Sequence, residues 1–269
     1  MFGRFILFAS LMWAAASHAQ ESGFRTLASL DQGKHWEAVG RLEIAGTAFC
    51  TGALIASDLV LTAAHCLYDA KTGRRVPVQD IQFLAGWRKG RAAAYRYVRT
   101  ALHHPDYAFS ARANPDRVRN DVALLKLQHP IRNTTITPFQ TDVHPARGDR
   151  LGVVSYGHDR TNAPSLQEVC DVIARQEGVL VMSCEVDFGS SGSPVFSYDS
   201  GVPRIVSVVS AKAEYGGQPV SLGTSLQEPL RLLTGAMVAA QQSELTAGQG
   251  KLGVGARSVE MNGAKFVRP

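Results

Sequence analysis

Three residues able to carry out hydrolysis stand in separate short motifs. His65 lies in Leu61-Thr62-Ala63-Ala64-His65-Cys66, Asp121 in Asn120-Asp121-Val122-Ala123-Leu124-Leu125, and Ser191 in Gly189-Ser190-Ser191-Gly192-Ser193-Pro194. A serine hydroxyl is a poor nucleophile at neutral pH. Chemistry at Ser191 therefore needs an imidazole to take its proton, and that imidazole needs a carboxylate to hold its tautomer. His65 and Asp121 supply those two groups. A lone histidine or turn aspartate is ordinarily only structural, so the weight rests on the three motifs occurring together. Asp116 is the nearest rival to Asp121, but it sits in a polar Pro-Asp-Arg segment, whereas Asp121 opens a hydrophobic run where an acid is costly unless it accepts hydrogen bonds. Ser190 and Ser193 rival Ser191 by composition alone.

These groups need a scaffold, and the chain around them reads as all-β. Short apolar and β-branched runs at 53–55, 59–62, 81–85, 122–127, 150–155 and 205–210 alternate with Gly, Pro and Asp breaks. Many short strands with frequent turns indicate a barrel or sandwich. Residues 226–240 form the one convincing helical pattern besides a single turn after His65. Residues 241–269 are polar and Gly-containing without clear periodicity, and read as a flexible extension. No internal repeat is visible.

The first residues carry one arginine, Arg4, then an apolar run over 5–16 and Ser17-His18-Ala19 before Gln20. This is the pattern of a secretory signal peptide cleaved after Ala19. The run falls short of the roughly 20 residues that span a bilayer. A secreted or periplasmic protein without membrane attachment after cleavage is expected. Cys50, Cys66, Cys170 and Cys184 make an even count in an exported chain, which favours disulfides, and three pairings are open. Neither close pair has the spacing of zinc ligands, and no acidic cluster argues for calcium, so no metal and no cofactor is expected. The net charge of +5 is too small to argue for nucleic acid. Two local clusters, Arg88, Lys89, Arg91, Arg96 and Arg99, then Arg112, Arg117 and Arg119, read as solvated faces, with adhesion to anions as the alternative.

The order His, Asp, Ser, with these motifs, resembles the chymotrypsin/trypsin-like serine proteases over residues 39–232. The resemblance implies two packed six-stranded antiparallel β-barrels with a C-terminal helix, in a protease domain of residues 35–240. Residues 1–19 would be the signal peptide, 20–34 a propeptide or N-terminal extension, and 241–269 a polar tail. It implies a secreted serine endopeptidase, acting as a monomer on protein or peptide substrates through an acyl-enzyme. His65 would be the base and later the acid, Asp121 its orienting group and Ser191 the nucleophile. The backbone N–H groups of Gly189 and Ser191 would form the oxyanion hole. It also selects the pairings Cys50–Cys66 and Cys170–Cys184.

Ser190 departs from the digestive-enzyme pattern, which has an aspartate there to pair with a new N-terminal ammonium. The Gly-x-Ser-Gly-Ser-Pro form is similar to the bacterial V8-like, glutamyl-endopeptidase branch, so activity without a defined Ile or Val N-terminus is expected. That branch holds the substrate carboxylate with a histidine after the nucleophile, but this chain has none after His158. Glu185 stands six residues before Ser191, where trypsin-like enzymes place the acid that pairs with substrate Arg or Lys. Cleavage after Arg or Lys and cleavage after small or apolar residues both stay open, and acidic residues are disfavoured. Ser207 and Val209 are the expected pocket wall and substrate-pairing edge. A silent relative serving as a binding or adhesion protein is the alternative, disfavoured because all three motif residues are present. A chaperone-protease of the HtrA kind would need a further peptide-binding domain that 241–269 cannot supply.

Overall fold

The computed structural model describes residues 23–109, 114–142 and 145–252. Its first half closes into a six-stranded antiparallel barrel made of β2 (Val39–Ile44), β3 (Ala48–Ala56), β4 (Leu59–Thr62), β5 (Ile81–Ala85), β6 (Ala94–His103) and β7 (Ala123–Leu127). These strands pair in the order β2-β3-β4-β7-β6-β5, and β5 returns to β2. Val39, Leu54, Val60, Phe83, Leu124 and Leu125 of its strands are fully buried. Two strands read from the sequence, 59–62 and 81–85, match β4 and β5 residue for residue.

The second half repeats the architecture. Here β8 (Arg150–Gly157), β9 (Arg160–Gln176), β10 (Val179–Met182), β11 (Pro194–Ser197), β12 (Arg204–Tyr215) and β13 (Gln218–Ser225) form the circuit β9-β10-β13-β12-β11-β8, closed by β8 against β9. The expected pair of six-stranded antiparallel barrels is therefore present. An aromatic seam lies at their junction, with Trp36, Phe139 and Phe196 packed at ring-centroid distances of 4.7 to 5.8 Å.

Two segments carry more regular structure than the sequence reading assigned to them. Of residues 20–34, the part from Gly23 is built into the fold: β1 (Phe24–Thr26) pairs with β9, and the short helix α1 (Leu30–Gly33) is capped by reciprocal bonds between Ser29 and Gln32. Leu27 is fully buried. Its carbonyl accepts from Arg88 Nε at 3.0 Å, and the carbonyl of Gly33 accepts from Arg88 Nη2 at 2.8 Å. Arg88 thus leaves the basic cluster read from the sequence and serves as an internal staple. The second difference is at the other end. Besides the short α2 (Pro115–Arg119), the chain forms α3, which runs over Gln227–Leu252. It packs on β6 and β7 and buries Leu233 and Met237. The helix continues past Ala240 because most residues there, three Gln, two Leu, Glu244, Ala247 and Lys251 among them, lose little side-chain freedom in a helix. The sequence there shows no clear apolar periodicity, since Leu245, Ala247 and Leu252 are its only apolar residues other than glycine. The signal-peptide reading of 1–19 lies outside the described residues, as do 253–269.

Candidate active site

The loop between β4 and the 3₁₀ turn Ala64–Leu67 places His65 beside the barrel junction. The disulfide Cys50–Cys66 ties that turn to β3, and Cys170–Cys184 ties β9 to the segment leading to Ser191, as the resemblance implied. The ligating atoms of Cys50, Cys66 and His65 come within 4.8 Å of one another, but both thiols are consumed by the disulfide, so no thiolate is left to bind a metal.

Asp121 follows α2 and is completely buried. Its Oδ2 receives His65 Nδ1 at 2.7 Å and the Ser210 hydroxyl at 2.5 Å, while its Oδ1 accepts from the His65 backbone N–H at 2.8 Å. Burial alone would raise the Asp121 pKa. The charge on His65 and the hydrogen bonds from His65 and Ser210 outweigh burial and hold it below the ordinary carboxylate value. One carboxylate thus fixes the histidine by backbone and ring together.

Ser191 is held from the opposite barrel. Thr51 of β3 donates its backbone N–H to the Ser191 carbonyl at 2.8 Å and its hydroxyl to the Gly189 carbonyl at 2.9 Å, and the same hydroxyl accepts from the Tyr156 N–H at 3.1 Å. The loop needs glycine on both sides of the serine. Gly189 and Gly192 have φ of +93° and +75°. A Cβ at Gly189 would meet the Phe49 ring at 2.3 Å, and one at Gly192 would meet Thr62 Oγ1 at 2.1 Å. Ser190, where the digestive enzymes carry an acid, is buried and turns inward on its own loop: it donates its N–H to the Asp187 carbonyl at 2.8 Å, and its Oγ accepts from the Asp187 N–H at 3.2 Å.

Within this loop the N–H groups of Ser190, Gly192 and Ser193 all have protein acceptors. Among the described residues, those of Gly189 and Ser191 have none. No hydrogen bond joins Ser191 Oγ to His65 among the described residues; in ligand-free sites such bonds are often long and tighten only with substrate bound.

Beside the loop lies a cleft of about 410 Å³ lined in part by Glu185, Val186, Asp187, Lys212, Ala213 and Phe24. Glu185 does line this cleft, but it is exposed, rather than buried at a pocket base. Its N–H donates to Gln167 Oε1 at 2.9 Å. The expected wall residues are corrected. Ser207 and Val209 are buried, Ser207 donating its hydroxyl to the Thr224 carbonyl and Val209 exchanging backbone bonds with Gly192 and Ser193. A register shift between Val209 and Ala211 changes which side chains of β12 face outward. Ser210 consequently reaches Asp121, and Lys212 reaches the cleft. Sequence reading missed Ser210 and Thr51. Neither stands within a motif, and a serine in a β-branched run and a threonine after a cysteine are unremarkable by type.

The family model described as Trypsin matches residues 29–228. Human Serine protease 23 is 29% identical over 165 residues, which cover 55% of this chain and 42% of that protein, so the chain spans less than half the length of this relative. The collagenase of Hypoderma lineatum is 27% identical over 213 residues, 70% of this chain and 76% of its own. Among solved structures, a Glu endopeptidase in complex with MPD aligns with a TM-score of 0.65 at 17% identity, over 82% of this chain and 98% of that one. Human heparin binding protein aligns with a TM-score of 0.59, also at 17% identity, over 76% and 90%. At such identities the structural likeness speaks for the fold alone. With the family match extending over most of the sequence and both barrels in place, the chain belongs to the trypsin-like serine protease family.

Proposed function

We propose that this protein is a secreted serine endopeptidase that cleaves peptide bonds through His65, Asp121 and Ser191. The observation that carries this reading is the fully buried Asp121 carboxylate, gripping both the ring and the backbone of His65. With Nδ1 bonded to the carboxylate, Nε2 is the nitrogen left to accept a proton. In the reaction, Ser191 Oγ attacks the substrate carbonyl carbon while His65 Nε2 takes the hydroxyl proton. The tetrahedral oxyanion is received by the Gly189 and Ser191 N–H groups, which have no protein acceptor among the described residues. Such donors are worth about 10²–10³ in turnover each. The intermediate collapses as His65 returns the proton to the leaving amine, giving an acyl-enzyme and a free amine product. Water then adds with His65 again as base, and the carboxylic acid leaves as Ser191 regains its proton. No step calls for a cofactor.

Several observations support parts of this reading. The two disulfides suit an oxidising compartment, and no helix among the described residues is long and apolar enough to cross a membrane. The closed local bonding of Ser190 supports activity without a newly exposed N-terminal ammonium, and the burial of Leu27 supports retention of the segment from Gly23 in the working enzyme. Within the family the serine loop favours the V8-like branch through Ser190; the curated relatives named above are animal proteins and lend that placement no support. For substrate preference, Glu185 in the cleft favours a cationic side chain at the cleaved bond.

The test is intact-mass analysis of the disulfide-bonded protein after exposure to a fluorophosphonate. One adduct, absent from the Ser191→Ala variant, is expected. A folded protein that takes no adduct would overturn the reading in favour of a silent homologue that only binds.

A further inference from the structure

Five charged side chains line the cleft beside the nucleophile loop: Asp159, Arg160, Glu185, Asp187 and Lys212. Both cations are already paired. Arg160 bonds Asp159 at 3.2 Å and lies over the Phe24 ring at 3.8 Å, while Lys212 Nζ meets Asp187 Oδ1 at 2.7 Å. Glu185 has no ion-pair partner among the described residues, so the lining carries one carboxylate in excess. The Lys212–Asp187 pair also has a particular placement. Asp187 lies on the segment running into Gly189 and Ser191, and Lys212 lies two residues beyond Ser210 on β12. The pair therefore ties the two walls of the cleft together across its width.

We propose that Lys212 is an internal rival of the substrate: its ammonium occupies Asp187, which a basic side chain at the cleaved bond would otherwise reach together with Glu185. This rests on the serine endopeptidase reading above. A substrate cation must displace Lys212 from Asp187 and tolerate a like charge beside it, so Lys212 weakens cleavage after Arg and Lys without forbidding it. The pair is suited to opening. Its side chains are 54% and 40% exposed, the range in which ion pairs contribute little and exchange readily with solvent. A second resting place exists for the displaced ammonium over the exposed Phe188 ring, to which Lys212 Nζ already lies within 5.7 Å. An arginine guest gains more than a lysine, because its planar fork can bond two carboxylate oxygens at once.

The experiment compares peptide substrates that differ only in Arg, Lys, Ala or Glu at the cleaved bond. It uses the wild type, Lys212→Ala, Lys212→Arg and Glu185→Gln, each normalised to active sites titrated with a fluorophosphonate. Removing the rival is expected to raise the arginyl-to-alanyl ratio of kcat/KM about fivefold, mainly through KM. Lys212→Arg, which retains a cation able to hold Asp187, should stay close to the wild-type ratio, and Glu185→Gln should lower it. A titratable Lys212→Ala enzyme whose ratio is unchanged or lower overturns the proposal alone. So does a wild-type preference for glutamyl substrate that disappears in Lys212→Ala, since Lys212 would then be a ligand for the substrate. Absence of titratable sites in every variant, the wild type included, overturns the endopeptidase reading and the rival with it.

Discussion

Asp121 and Asp187 are both aspartates with depressed pKa values within the same active region, yet they are held in opposite ways. Asp121 is sealed from solvent, and its three hydrogen bonds come from groups fixed by the fold: the His65 ring, the His65 backbone and Ser210. Asp187 is half-exposed, and its pKa is lowered first by the bond from Lys212 and then by that from the Phe188 backbone. Desolvation makes the first arrangement rigid and intolerant of change, because an unmatched charge there has no water to turn to. Solvent makes the second exchangeable. The chemistry of bond cleavage is thus built where the structure cannot vary, and the choice of substrate where a single side chain can reset it.

The severest way to break this contrast is Asp121→Asn. The amide keeps the shape but no longer enforces the imidazole tautomer, and kcat is expected to fall about 10⁴-fold; a loss under tenfold, measured on titrated sites, would show that the buried carboxylate does not orient His65. Next in size is Gly192→Ala. With φ at +75° and a new Cβ facing Thr62 Oγ1 at 2.1 Å and the Thr51 carbonyl at 2.4 Å, the loop must shift or strain. A cost of about 2–4 kcal/mol in urea unfolding is expected, together with poor fluorophosphonate labelling. An unperturbed variant would mean that the serine loop is less tightly seated against β3 than the geometry requires.

The mildest change, Ser210→Ala, sharpens the comparison through pH. Because the folded pKa of Asp121 lies below 3.8, its carboxylate contributes stability above about pH 4 that is lost as pH falls through the folded value. Loss of the Ser210 bond should raise that folded value, so acid destabilisation should begin at higher pH than in the wild type. Urea midpoints followed from pH 6 down to pH 3 report this. Turnover should drop about tenfold, in line with about 1–3 kcal/mol for a buried acceptor deprived of a donor. Coincident acid limbs for the two proteins would remove Ser210 from the account of Asp121.

The parts of the fold that could be read from the chain were those whose side chains are nearly all buried. Short apolar runs such as those of β4 and β5 stand out because both faces, or nearly so, are buried. The strands β6 and β9 were missed because their outward faces carry Arg96, Arg99, Glu168, Asp171 and Arg175, which the eye reads as loop or basic patch. The site divides along the same line. His65, Asp121 and Ser191 could be picked out because each sits in a motif demanded by local backbone and by chemistry. Ser207 and Val209 are expected at the cleft from their place on the strand after the nucleophile, which takes regular alternation along that strand for granted. The register shift after Val209 breaks that alternation, and no residue type announces such a shift.

By itself the sequence determined which residue types exist to do hydrolysis, their order along the chain, the glycines around the nucleophile and the four cysteines. Those features are local, and a motif of a few residues carries its own conformational requirement. Only the tertiary structure decided that Thr51 stitches the serine loop to the opposite barrel, that Ser210 completes the Asp121 cage, that Arg88 staples the N-terminal segment, and that Lys212 closes an ion pair across the cleft. Thr51, Ser210 and Arg88 join groups at least 55 residues apart in sequence, and Lys212 meets an aspartate 25 residues earlier in the chain. Their partners are set by how two closed barrels meet and where a strand slips register, which no short stretch of sequence encodes.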